Sequence, residues 1–171
     1  MKMGNWGKLF SRAVLVVTAV VGFTLSCGVV FAEETGAFEG TLTASGNRQI
    51  LDFIEGRTVF TFSLEGHVNL KNAVGGERDF WAEWVGLWDS ETGGTIRCVW
   101  DDMKGRKIYL VLNGTQLEKG ATLTGEFVGG TGPFQGIQGN FILTWALVSF
   151  NTDDKVIAGY AKDVKGSYRL P

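Results

Sequence analysis

Side chains able to do chemistry are few in this chain, and they do not cluster. His67, the single histidine, lies between Glu65 and Asn69 on the polar side of an alternating stretch. General-base catalysis needs a nucleophile or proton partner within reach, and none is evident, so His67 reads as a solvated surface group. Cys98 is one of two cysteines, and Ile96-Arg97-Cys98-Val99-Trp100 puts it on the same side as Ile96 and Trp100. Unpaired cysteine at such a position is expected to act as a small buried hydrophobe. One histidine and so few cysteines do not make a conventional zinc site, and no metal is expected. Asp101-Asp102 precedes Met103-Lys104-Gly105 and reads as a hairpin turn. A calcium loop would need more oxygen donors at alternating positions. Paired carboxylates also serve glycoside hydrolysis, although in turns they are usually solvated charge. Asn113-Gly114-Thr115 matches a glycosylation acceptor and is equally explained as a strand-ending turn.

The densest motif is Gly129-Gly130-Thr131-Gly132-Pro133-Phe134-Gln135-Gly136-Ile137-Gln138-Gly139. A dinucleotide fingerprint would need G-x-G-x-x-G opening a helix, and a P-loop would end in Gly-Lys-Ser/Thr. Here the spacing differs, no lysine is present and a strand follows, so phosphate binding is set aside. Instead, Gly129, Gly130, Gly132, Gly136 and Gly139 allow a tight connection, with Phe134 and Ile137 placed to plug the end of a barrel.

Period-two alternation dominates after residue 36. In Thr58–Leu70, Phe60, Phe62, Leu64, Val68 and Leu70 share one side, and Thr61, Ser63, Glu65, His67 and Asn69 the other. That is an antiparallel strand with one buried and one wet face. Further runs are Phe38–Ala44, Asp79–Trp88, Thr95–Asp101, Lys107–Asn113, Thr122–Val128, Asn140–Phe150 and Asp163–Leu170. Turn residues separate them at Asn72–Gly76, Glu91–Gly94, Lys104-Gly105, Glu118–Gly120 and Asn151–Asp154. Arg48–Glu55 is expected to form a short helical turn or lid. Five strands carry a glycine on the apolar side: Gly40, Gly66, Gly86, Gly125 and Gly166. Glycine inside a strand marks a sharp bend or a close approach, so five of them predict a sheet curled onto itself. The fold class is therefore all-β, a closed eight-stranded antiparallel barrel, whose interior is either packed or wide enough for one small ligand.

Asn140–Phe150 and Asp79–Trp88 are apolar on both sides. Such strands need a cover, either the Arg48–Glu55 segment or another subunit, and a homo-oligomer is the expectation. Tryptophans 81, 84, 88, 100 and 145 support two readings, core filling or walls for a ring-shaped or lipidic ligand. Under the second, Phe62, Phe80, Trp84, Trp88, Cys98 and Trp100 are the candidate cavity lining.

Residues 1–32 read as an export signal: Lys2, Lys8 and Arg12, then an apolar run from Ala13, then Val30-Phe31-Ala32 as a cleavage site. Competing readings are a lipid-modified Cys27 and an uncleaved anchor. Cleavage after Ala32 leaves 33–171 as a single domain, exported to the periplasm or secreted. It removes three basic residues and no acidic ones from a chain of net charge −2, leaving −5. An acidic product has no electrostatic attraction to nucleic acid or anionic lipid, so neither is an expected partner. Only Cys98 then remains, which excludes an intramolecular disulfide.

Gly-Gly-Thr-Gly-x-Phe-x-Gly-Ile-x-Gly, preceded by Leu123-Thr124-Gly125-Glu126-Phe127, resembles the glycine signature of allene-oxide-cyclase-like barrels. Plant dirigent proteins and a set of exported bacterial proteins of unknown role share that architecture. Gly94–Asp102 and Gly159–Pro171 also resemble the bacterial set, so the resemblance extends over 37–171, with only the glycine segment specific. It implies an eight-stranded barrel, often trimeric, with an apolar cavity. No catalytic position of the cyclases or dirigent proteins matches onto this chain, and their activities do not transfer with the fold. The resulting expectation is a non-catalytic exported barrel without cofactor, holding a small apolar ligand or serving as an oligomeric assembly module. The alternative is an isomerase-, cyclase- or dirigent-like enzyme that shapes an apolar substrate in the same cavity.

Overall fold

The computed structural model of the chain describes residues 33–117, 120–148 and 155–171. Residues 1–32, with the export-signal, cleavage and acylation readings that fall on them, lie outside these residues. So do Glu118-Lys119 and the Asn151–Asp154 turn, together with the end of the Asn140–Phe150 run. Eight strands follow in order: β1 (Glu34–Ile54), β2 (Arg57–Ala73), β3 (Gly76–Asp89), β4 (Gly93–Asp101), β5 (Lys107–Leu117), β6 (Gly120–Gly130), β7 (Gln138–Leu147) and β8 (Val156–Leu170). Each pairs antiparallel with the next, and β8 pairs with β1 to close the barrel.

Side-chain alternation explains why these segments close rather than stack. On β2, Phe62, Leu64, Gly66, Val68 and Leu70 are buried while their neighbours face out. Moving each large side chain out of water contributes about 1.5–3 kcal/mol, and the stripe repeats on every strand. All five interior glycines share the inward phase. At Gly66 a methyl group would stand 2.6 Å from the Ala44 Cα and inside contact distance of the Thr43 carbonyl oxygen, because β1 coils closely over β2 there. Gly125 serves another purpose, leaving room for the Phe141 ring, several of whose carbons a methyl would overlap.

β8 carries an extra residue opposite β1, since Leu42 pairs with Ala161 but Gly40 with Val164. This bulge resets the inward phase from Ile157 and Ala161 to Val164 and Tyr168, so both halves of β8 feed the core. Asp163 within the bulge accepts a hydrogen bond from the Thr144 N–H at 3.2 Å.

Two sequence expectations are corrected. Arg48–Glu55 is neither helical turn nor lid. It continues β1, pairing from Arg48 opposite Phe62 to Ile54 opposite Arg57, and turns at Gly56 with φ +78°. The free edge of β2 supplies backbone partners that a lone helical turn would lack. Nor does this segment cover the doubly apolar strands, because Val85, Leu87 and Ile142 remain exposed on the outside. Asn113–Thr115 is not a turn but the middle of β5, where Gly114 leaves space for the Trp88 ring.

Candidate functional site: a barrel cavity with a polar mouth

Antiparallel order puts the β1–β2, β3–β4, β5–β6 and β7–β8 connections at one end and the remaining connections at the other. The second end is packed solid. Phe38, Phe80, Trp100, Phe127, Phe134 and Phe141 form a cluster with ring centroids 5.4–6.4 Å apart. The β6–β7 connection stops this end. After Thr131 the chain makes one 3-10 turn, Gly132–Phe134, and buries Phe134 and Ile137 as expected from the glycine motif. Within it Gly132 and Gly136 hold φ of +58° and +77°, a region that disfavours any side chain.

The first end is hollow. A cavity of about 520 Å³ lies inside it, within the range of small-molecule sites. Its deeper wall is hydrocarbon and indole from Leu64, Trp84, Ile96, Leu112, Leu143 and Trp145. Trp84 and Trp145 meet edge to face at 6.2 Å. Trp88 is oriented by its indole N–H, which donates to Gln116 Oε1 at 2.8 Å. Polar groups line only the mouth: Arg48, Asp52, Thr58, Ser90 and Gln116. These come from strand ends. Thr58 and Ser90 are tied together, the Thr58 N–H donating to Ser90 Oγ at 3.1 Å and the Ser90 N–H to the Thr58 carbonyl at 3.0 Å.

Of the six residues named as lining, Phe62, Trp84 and Trp88 face the cavity. Phe80, Cys98 and Trp100 do not; they belong to the packed interior below it. Inward phase was read correctly for all six, but depth along the barrel axis depends on which end is plugged. Cys98 is buried, and that burial pushes its thiol well above the ordinary range, against a weaker opposing pull from the Trp84 and Trp100 indoles. Neither indole N–H reaches a hydrogen bond of ordinary geometry, so the sulfur is at most a long, weak acceptor.

The remaining chemical candidates are structural or peripheral. His67 lies on the outer face, edge-on to Trp81 at 4.9 Å. Asp101 and Asp102 organise the β4–β5 turn, as the sequence indicated. Asp101 accepts the Met103 N–H at 2.9 Å, and Asp102 accepts the Lys104 N–H at 3.0 Å and pairs with Arg106. Burial raises the Asp102 carboxyl, but the Arg106 side chain and the turn's N–H groups outweigh it and hold the group below its usual range. Among the described residues, no three His, Cys, Asp or Glu side chains gather in a metal-binding group.

Sequence reasoning missed Asp52, Ser90 and Gln116. A signal was available, since Asp52 continues the inward phase of Arg48 and Ile50, Ser90 that of Trp88, and Gln116 that of Leu112 and Gly114.

No family model and no curated protein matches the chain. Among solved structures it is similar to the pterocarpan synthase dirigent protein GePTS1, with 12% identity and a TM-score of 0.43 over 83% of this chain and 96% of that one.

Proposed function

We propose that this protein is an exported, non-catalytic barrel that holds a small apolar ligand in the cavity at its open end. One observation carries the reading: half of the barrel interior is filled by aromatic side chains, and the other half is an apolar hollow with a defined mouth. A core built only for stability fills both ends, because unfilled volume forfeits dispersion contacts. Native mass spectrometry of the protein purified from its producing cells, together with Nile red titration, tests this. A bound small molecule or saturable dye uptake is expected; a protein that carries nothing and takes up no dye refutes it.

The enzyme alternative has one feature in its favour, the ionisable pair Arg48 and Asp52 at the mouth, four residues apart on the inner face of β1. Chemical change in a bound ligand that is lost in Asp52→Asn would favour it over simple holding.

The outer apolar residues Val85, Leu87 and Ile142 support a homo-oligomer in which a second copy supplies the cover that Arg48–Glu55 does not. Sedimentation at micromolar concentration is expected to give a mass above one chain, and a monomer would refute the proposal.

A further inference from the structure

We infer that the cavity's ligand is an uncharged amphiphile, entering tail first and leaving a hydroxyl head at the mouth. The inference rests on the ligand-holding reading above and specifies the chemistry of the occupant.

Polarity is sorted by depth. The inner wall presents no ionisable group, so an inserted charge would lose its hydration without compensation. At the mouth the situation reverses. Asp52 pairs across the ladder with Thr58, and Thr58 is joined to Ser90 through the backbone N–H bonds already described. Among the described residues, the Asp52 carboxylate and the hydroxyl protons of Thr58 and Ser90 have no hydrogen-bond partner. One acceptor and two donors thus stand together where a head group would emerge. A hydroxyl suits both, donating to Asp52 and accepting from Thr58 or Ser90.

Charge argues against the ionic alternatives. Arg48 and Asp52 share the inner face at the rim, so a carboxylate head would meet Asp52 and an ammonium head would meet Arg48. Either gain is offset by repulsion from the other group. Arg48 is also engaged elsewhere, its guanidinium lying 5.5 Å from the Phe60 ring centroid. Volume sets the tail: about 520 Å³ is roughly 17 water-sized groups at about 30 Å³ each, room for a medium-length chain or a small ring system.

The test is displacement of Nile red from the intact protein by dodecane, 1-dodecanol, dodecanoate and dodecylamine below their aggregation limits, with tryptophan emission as a second readout. Dodecanol is expected to bind tightest. Asp52→Ala and Ser90→Ala are each expected to weaken dodecanol by about threefold to tenfold, the loss of one hydrogen bond, and to leave dodecane unchanged. If dodecane competes as well as dodecanol, or a charged analogue binds tightest, the amphiphile inference falls while the ligand-holding reading stands. If none of the four displaces the dye and no dye is taken up, the ligand-holding reading itself falls.

Discussion

Gly66→Ala is the sharpest perturbation of the closed barrel. The added methyl would stand 2.6 Å from the Ala44 Cα and 2.8 Å from its Cβ, with the Thr43 carbonyl oxygen closer still. Carbon atoms pack best near 3.5–4.0 Å, so β1 must retreat from β2 by roughly 1 Å. Gly66 lies mid-ladder, opposite Ala44, in a register that runs from Glu39–Lys71 to Ile54–Arg57. No flexible side chain can yield in place of the backbone. Overpacking of this kind costs about 1–3 kcal/mol, and weakening one or two ladder bonds adds about 1 kcal/mol each. A total near 3 kcal/mol is a large share of a domain's stability of about 5–15 kcal/mol. At about 3–5 °C per kcal/mol, the melting temperature should fall by about 10–15 °C. Ser63→Ala, on the outer face of the same strand, is the control and should change stability by less than about 0.5 kcal/mol. Thermal and urea unfolding followed by circular dichroism would measure both. A Gly66→Ala protein that melts within 2 °C or so of the parent would refute the close approach of β1 and β2, and with it the reason for inward glycines.

Other consequences follow from the ion pairs and the buried thiol. The Arg57 side chain bonded to Asp89 holds that carboxyl at about 2, against an ordinary 3.8. A depressed carboxyl stabilises the fold above its unfolded value and loses that contribution as pH falls through the folded one. The melting advantage of the parent over Arg57→Met should therefore be constant above about pH 4 and shrink toward pH 2 in a pH series. Asp102→Ala removes the acceptor that organises the β4–β5 turn and strands Arg106, so denaturant unfolding should register a loss of about 2–4 kcal/mol. Cys98 should resist a soluble disulfide reagent in the native protein and react promptly in denaturant; fast native labelling would contradict its burial.

Strands were legible because period two survives in short runs such as Thr58–Leu70, where every second residue is large and apolar. Arg48–Glu55 was not, since its residues suit a helical turn as well as a strand, and only the waiting edge of β2 decides between them. Asn113-Gly114-Thr115 carries turn chemistry, yet the glycine is needed there because the Trp88 ring reaches past β4 to lie against it. The lining divided for a different reason. Alternation tells which side of the sheet a residue faces, not how far along the axis it lies. Trp84 and Trp100 share the inward phase, but one faces a hollow and the other a plug of phenylalanines. The glycine motif announced that plug correctly through Phe134 and Ile137, without showing which residues it would seal away.

The seam between β1 and β8 sets a condition on how the molecule assembles. Tyr168 Oη donates to Glu34 at 3.1 Å across 134 positions of sequence. During synthesis the ring stays open until its final strand emerges, and the growing chain exposes an unpaired hydrogen-bonding edge all that time. Distant partners of this sort slow folding, which lengthens the interval in which that edge stays exposed. A chain cut short before Val156 would display two naked edges at once, and self-association would be its natural fate.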